Sequence, residues 1–312
     1  MIKFLMLIIC GTVSLLLIAG CADERTSPAQ NTAERKTVAT KPQSSARKTD
    51  PAPTAEMYYN RGVTYLHQNH FEKAIEAFKA AIHLNPNHAQ AYNNMGICYQ
   101  SQRQIEQALD AYTRAVEIEP TLIQAHHNLG NLHFLTGQLN EAINAYTAVT
   151  HLRPRLATAY VDLGRAYSAG GRLDAAIIEL KKALELDADL VYAHYILGVA
   201  YRHKGLLDAS IDSLKIAIAL QPRIPESHLN LGYAYREKGL LNEAIEAFQT
   251  EGQLQPENSE VYHEIGVTYM KQNAYPEAIS AFETALQLNP NATETQNNLR
   301  VAQARLVRQK GK

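Results

Sequence analysis

Gly recurs at positions 62, 96, 130, 164, 198, 232 and 266, each 34 residues after the last. A fixed spacing of that length marks a chain built from one supersecondary unit copied end to end. Other residues keep the same register. An aromatic residue or His stands three places after each Gly: Tyr65, Tyr99, His133, Tyr167, Tyr201, Tyr235 and Tyr269. A small residue stands twelve places after it, from Ala74 through Ser210 to Ala278, and a bulky one four places further, from Phe78 to Phe282. Pro falls 24 places after the Gly in six of the seven copies, with Ala188 in the fourth. Each copy carries two stretches with apolar residues at i, i+3, i+4 and i+7, the pattern of amphipathic helices. The small residues let the two helices approach closely, and the Pro stops the second helix before the next copy begins. Pro225 and Pro276 are expected at helix starts, where a missing N–H costs nothing.

At every signature position this pattern resembles the tetratricopeptide repeat (TPR), over residues 55–292 and without insertion. The resemblance implies an all-α fold, a right-handed solenoid of antiparallel helix pairs. Its seven units would be 55–88, 89–122, 123–156, 157–190, 191–224, 225–258 and 259–292. A single hairpin cannot bury its own apolar face, so units must stack and the end units need a cover. Residues 293–312 are read as a capping helix with a basic tail. Leu299, Ala302 and Leu306 would face the seventh unit, and Arg300, Arg305, Arg308 and Lys310 would face water.

The N-terminus reads as a processing signal. Lys3 precedes an apolar run from Phe4 to Gly20, which is short for a membrane-spanning helix and fits a secretory leader. Ile18-Ala19-Gly20-Cys21 resembles the lipobox of bacterial lipoproteins. That resemblance implies removal of residues 1–20 and lipidation of Cys21. With Ala22 rather than Asp after the cysteine, it implies a cell-envelope protein, on the outer membrane where two membranes exist. Residues 22–54 are rich in Ser, Thr, Pro, Lys and Arg without apolar period, so 21–54 is expected to be a disordered tether behind the anchor.

Charge and motifs narrow the function. The chain has a formal net charge of -1, which speaks against a nucleic-acid partner. The repeats themselves are acidic, with 18 Lys and Arg against 26 Asp and Glu over 55–292. Cys10, Cys21 and Cys98 lie too far apart for a disulfide framework or a metal-ligand pattern. There is no phosphate-binding loop, no metalloprotease pair and no nucleophile elbow. The expectation is a non-enzyme without catalytic residues, metal or cofactor. The histidines at the fourth position of their units, His126, His194 and His228, read as packed or half-exposed rings.

The resemblance also places the ligand surface on the first helices, at the second, fifth, sixth, ninth, twelfth and thirteenth positions of each unit. The sixth position reads Asn60, Asn94, Asn128, Asp162, Ile196, Asn230 and Glu264. This resembles the asparagine ladder of the O-linked N-acetylglucosamine transferase superhelix, which implies side-chain amides pairing with an extended peptide backbone. An amide supplies both a donor and an acceptor, as a backbone requires. The alternative is a merely polar helix face. Asn131 and Arg165 are placed in the same surface. A second cluster, Tyr192, Tyr195, Arg202, Tyr233 and Arg236, has the residue types that dominate binding hot spots. The Lys and Asn of a chaperone-type carboxylate clamp are absent: the first unit has Tyr59 and Val63 there, and the third has His127 and Asn131.

The reading is a membrane-anchored scaffold for proteins or extended peptides. The alternative is a structural subunit of an envelope secretion, pilus or cell-wall machine. One further irregularity is Glu251, which stands where the other units have Ala or Val149 at a tight helix contact, with Gly252 after it. A carboxylate there must reach water or find a partner, so the second helix of the sixth unit is expected to bend, leaving a soft joint before the seventh.

Overall fold

The computed structural model describes residues 52–311. Among them are fifteen α-helices and no strand. They fall into two compact units, one ending at Gly137 and one starting at Gln138.

In the first unit lie α1 (Ala55–His67), α2 (Phe71–Leu84), α3 (Ala89–Ser101), α4 (Ile105–Ile118) and α5 (Ile123–Leu135). The second holds α6 (Leu139–Leu152), α7 (Ala157–Ala169), α8 (Leu173–Leu186), α9 (Val191–His203), α10 (Leu207–Leu220), α11 (Ser227–Lys238), α12 (Leu241–Leu254), α13 (Ser259–Lys271), α14 (Tyr275–Leu288) and α15 (Thr293–Lys310). Within each unit the helices pack in chain order, each against the one before and the one after.

The glycine period has a steric cause. A Cβ on Gly62 would lie 2.5 Å from the Phe78 ring, one on Gly96 would lie 2.6 Å from Tyr112, and one on Gly232 would lie 2.5 Å from Phe248. Gly164 and Gly198 stand in the same relation to Leu180 and Leu214. The bulky residue of the second helix lies flat on the bare backbone of the first. All five partners are fully buried, and each such burial contributes roughly 1.5–3 kcal/mol.

The hairpin turns share a second device. Asn69, Arg103, Gly171, Gly205, Gly239 and Asn273 take positive φ at the same point of their units. Gly and Asn adopt that conformation readily; Arg103, at φ 61°, does so against its own Cβ.

Proline is not what ends every second helix. The residue before Pro86 is extended, as the proline ring demands (Asn85, φ -135°). Asp187 is equally extended (φ -150°) although Ala188 follows it. There the Asp187 carboxylate accepts from the Asp189 N–H at 3.1 Å, the turn Asn85 makes with Asn87 at the same distance. An Asx turn alone closes the helix.

The fourth position of the units also has a role in the fold. His126 Nε2 donates to Pro120 O and His194 Nε2 to Ala188 O, both at 2.9 Å. Tyr160 Oη does the same to Pro154 O at 3.1 Å, and Gln296 to Pro290 O at 2.8 Å. Each ties a first helix to the loop that leads into it, so His and Tyr are interchangeable here because both donate at similar reach.

The ends of the array differ from its middle. At the third position Ala91, Ala125, Ala159, Ala193 and Val261 are buried against a preceding helix, whereas Met57 is 51% exposed. In the same unit Arg61 and Thr64 replace residues that are mostly apolar and largely buried elsewhere. Thr54 caps α1, its hydroxyl accepting from the Met57 N–H at 3.2 Å. At the other end Thr295, Leu299 and Ala302 of α15 lie inward, and Ala302 and Leu299 pack on the Ala278–Phe282 cluster.

One local expectation is corrected. Pro276 does sit in the first turn of α14, but Pro225 lies two residues before its helix, because α11 begins only at Ser227. At Glu251, where a bent or displaced helix is expected, the helix is not interrupted. The second helix of that repeat is a single α-helix from Leu241 to Leu254, and a Cβ on Gly252 would make an ordinary 3.5 Å contact with Val261.

Candidate peptide-binding surfaces

In the first unit the ladder asparagines do not stand alone. Asn94 Nδ2 donates to Tyr59 Oη at 3.2 Å, Asn93 Nδ2 donates to Asn94 Oδ1 at 3.1 Å, and Asn128 Nδ2 donates to Asn93 Oδ1 at 2.9 Å. One chain of side-chain hydrogen bonds therefore runs from α1 through α3 to α5. Asn94 and Asn128 are half-buried. Asn60 is exposed and donates to Glu56 at 3.3 Å, one helical turn back. Asn131 Nδ2 lies 3.3 Å from His127 Nδ1. His88 stacks against Tyr59, with ring centroids 4.6 Å apart.

The rule behind these bonds is that the fifth position of one repeat meets the sixth of the next, 35 residues on. Tyr59 with Asn94 and Asn93 with Asn128 obey it, and so do Tyr195 with Asn230, at 3.2 Å in the second unit. Sequence reading missed Tyr59 and Asn93 as members of the ladder, although the spacing was there to find.

In the second unit Arg202, Tyr233 and Arg236 of the predicted set form one cluster, and Tyr192 and Tyr195 stand outside it. The guanidinium groups of Arg202 and Arg236 each lie 5.3 Å from the centre of the Tyr233 ring. Arg202 pairs with Glu237 at 2.8 Å, and Arg236 pairs with Glu264. Tyr233 Oη donates to Glu260 at 3.1 Å and reaches Glu264 at 3.3 Å. Burial, with Glu264 and Glu260 close by, holds the Tyr233 phenol well above its ordinary range. Each arginine is thus flanked by an aromatic face and a carboxylate, a geometry that fixes a planar guanidinium. Tyr192 is separate and 38% exposed.

Tyr195 and Asn230 are 6% and 7% exposed. Asn230 Nδ2 also donates to Glu226 O at 2.9 Å, and burial raises the Tyr195 phenol. These two join neighbouring repeats under the surface rather than opening onto it. In α7, Arg165 pairs with Asp162 at 3.2 Å and reaches Tyr146 Oη at 3.3 Å.

Among the described residues no three His, Cys, Asp or Glu side chains are grouped to hold a metal ion. Cys98 is buried, and burial pushes its thiol up to about 12, the state of an inert core side chain. No described helix is long and apolar enough to cross a membrane. Cys21 and the apolar run before it lie outside the described residues.

Comparison with known proteins matches the repeats throughout. Family models for the tetratricopeptide repeat match residues 55–88, 89–122 and 259–292, then 111–144 and 207–259, and a TPR-repeat model matches 130–169 and 164–205. No curated protein matches significantly. Among solved structures, the APC/C hetero-tetramer Cut9–Hcn1 is 21% identical with a TM-score of 0.58, over 81% of this chain and 50% of that one. The present chain thus spans half of that neighbour's length. MamA is 31% identical with a TM-score of 0.50, over 53% of this chain and 97% of that one. YrrB, described as a TPR protein with an unusual peptide-binding site, is 22% identical with a TM-score of 0.51, over 61% and 97%. With the glycine contact, the positive-φ turn and the helix order all repeating in register, the chain belongs to the tetratricopeptide-repeat family.

Proposed function

We propose that this protein is a membrane-anchored scaffold that binds extended segments of partner proteins along the first helices of its repeats. The observation that carries the reading is the amide chain Tyr59–Asn94–Asn93–Asn128. A carboxamide has two N–H donors and an oxygen with two lone pairs, so the inter-repeat bonds use only part of what each asparagine offers. An array of such groups on successive helices suits a ligand whose own donors and acceptors recur regularly, as an extended backbone does. The peptide-binding description of YrrB is in keeping with this use of the fold.

The anchor is the lipobox cysteine. With Cys21 lipidated, two or more acyl chains hold the protein durably at a membrane. The envelope placement, and the outer membrane within it, rest on the same four residues and on Ala22.

A photocrosslinking residue placed at Asn60, on the first-helix face, tests the binding reading against one placed at Glu76, exposed on α2. Discrete adducts at position 60 in native membranes, competed by an excess of extended peptides and absent at 76, are expected. Equal labelling at both positions would overturn it. Cys21→Ser should abolish incorporation of an alkyne fatty acid; labelling that persisted would remove the anchor and leave the groove untouched.

A further inference from the structure

The sixth repeat departs from the others in two places, and the two touch. Its first helix starts late: Pro225 and Glu226 lie outside α11, and Glu226 takes the left-handed conformation at φ 62°. At the tight contact in its second helix stands Glu251, 1% exposed, where Ala81, Ala115, Ala183, Ala217 and Ala285 pack in the other repeats. The Glu226 N–H, released from the helix, donates to Glu251 Oε1 at 3.2 Å, and Gln255 donates to the same oxygen. Glu251 Oε2 is buried and has no hydrogen-bond partner among the described residues.

We infer that Glu251 and the unwound turn at Glu226 form a proton-controlled latch, closed when the Glu251 carboxyl is neutral and loosened when it ionises. A buried carboxylate with one oxygen unpartnered is costly, and the cost falls when protonation removes the charge. The surroundings deepen it. Glu226 stands beside Glu251 on the loop, and Glu260 of α13 acts on Glu226; both raise the Glu226 carboxyl after its own burial. His228 of α11 is a basic side chain close to Glu251, Tyr195 of α9 is a further titratable neighbour, and Tyr262 of α13 lies against the adjacent Gly252. Burial lifts the Glu251 carboxyl above the ordinary glutamate range, and the Glu226 and Leu229 amides, His228 and Gln255 offset only part of this.

The direction follows from linkage. The folded carboxyl holds its proton to higher pH than the unfolded one. Its contribution to stability is therefore complete below the ordinary glutamate pKa and is lost as pH rises through the folded value. Above that value the carboxylate gains water only if the 221–226 loop and the first turn of α11 move off it. That helix carries Tyr233 and Arg236, so the latch sets how firmly the second-unit cluster is held.

Amide hydrogen exchange on the full chain, corrected for intrinsic rates, reads the latch directly. Protection at Glu226 and over 221–230 should fall at least about tenfold between about pH 5 and about pH 8, while the matching segment 187–196 stays level. Glu251→Gln, neutral at every pH, should keep high protection throughout. His228→Asn should keep the fall. An unchanged wild type, a fall that survives in Glu251→Gln, or one that disappears in His228→Asn overturns the latch. Should Glu251→Gln not fold, the carboxyl carbon shift of Glu251 in the wild type decides instead. Its inflection must coincide with the change at the Glu226 amide, and a separation of the two is fatal.

Discussion

Tyr59 with Asn94 and Tyr195 with Asn230 are the same pair of residues, 35 positions apart, with the same 3.2 Å hydrogen bond. Around them the two places differ. The first pair is half-buried and continues as a chain of amides through Asn93 to Asn128. The second is sealed: Ile196 and Val199 beside it are buried too, and Asn230 Nδ2 donates also to Glu226 O. One interaction thus serves as a staple between repeats in both units, and only in the first does it stay partly exposed. A repeat protein can keep a contact for stacking and decide its availability by what surrounds it.

The contrast is broken most sharply by removing each amide in turn. Asn230→Ala leaves the Tyr195 hydroxyl and the Glu226 carbonyl without a buried donor and should cost about 2–3 kcal/mol, whereas Asn94→Ala in its wetter setting should cost about 1 kcal/mol. Local unfolding free energies from hydrogen exchange around α11 and α3 would measure both. Equal costs would mean that burial does not distinguish the two pairs.

A gain is expected at the small-residue position. Ala74 in the first unit and Ser210 in the second occupy the same fully buried point, but Ser210 Oγ has no hydrogen-bond partner among the described residues. Ser210→Ala should stabilise the second unit by about 1.5 kcal/mol, combining the relieved hydroxyl with the better helix propensity of Ala. A lower melting temperature for the variant would show that the hydroxyl is satisfied in solution.

The turns supply a smaller gain on the other side of the comparison. Gly205 and Gly239 hold positive φ in the second unit, while Arg103 holds it in the first at φ 61°. Arg103→Gly should stabilise by about 1 kcal/mol, the relief of the left-handed conformation less the added freedom of Gly when unfolded. Thermal unfolding of the two proteins side by side is enough to see it.

How much of this was open to a reader of the sequence varies with the kind of constraint. The fold was legible because its causes recur: Gly62 is forced by Phe78, and the same clash returns with Gly96, Gly164, Gly198, Gly232 and Gly266. Single departures were not. Ala188 removes a proline without extending the helix because Asp187 makes the turn unaided. Glu251 reads as a disruption until Glu226 is seen to have left its helix, and Pro225 was taken for a helix start when it precedes one. The site was half legible. The sixth-position asparagines stand out, but their partners at the fifth position required pairing across repeats, and the burial of Tyr195 and Asn230 depends on neighbours no local pattern encodes.

The smallest effect on folding is expected at Asn60, and it is the most informative for function. Asn60 holds the ladder position of the first repeat, with no earlier repeat among the described residues to staple, and its described partner is Glu56 on its own helix. An exposed i, i+4 contact of this kind contributes only about 0.2–0.5 kcal/mol. Asn60→Ala should therefore leave the melting curve within about 0.5 kcal/mol of wild type. If the first-unit amides bind a peptide backbone, the same change should weaken a captured partner by about 1 kcal/mol, roughly fivefold in Kd. Asn94→Ala and Asn128→Ala cannot separate these effects, because each also cuts a bond between repeats. Titration of the purified partner against wild type and Asn60→Ala makes the separation. A Kd unchanged by loss of this amide would reduce the ladder to a set of staples and move the ligand surface elsewhere.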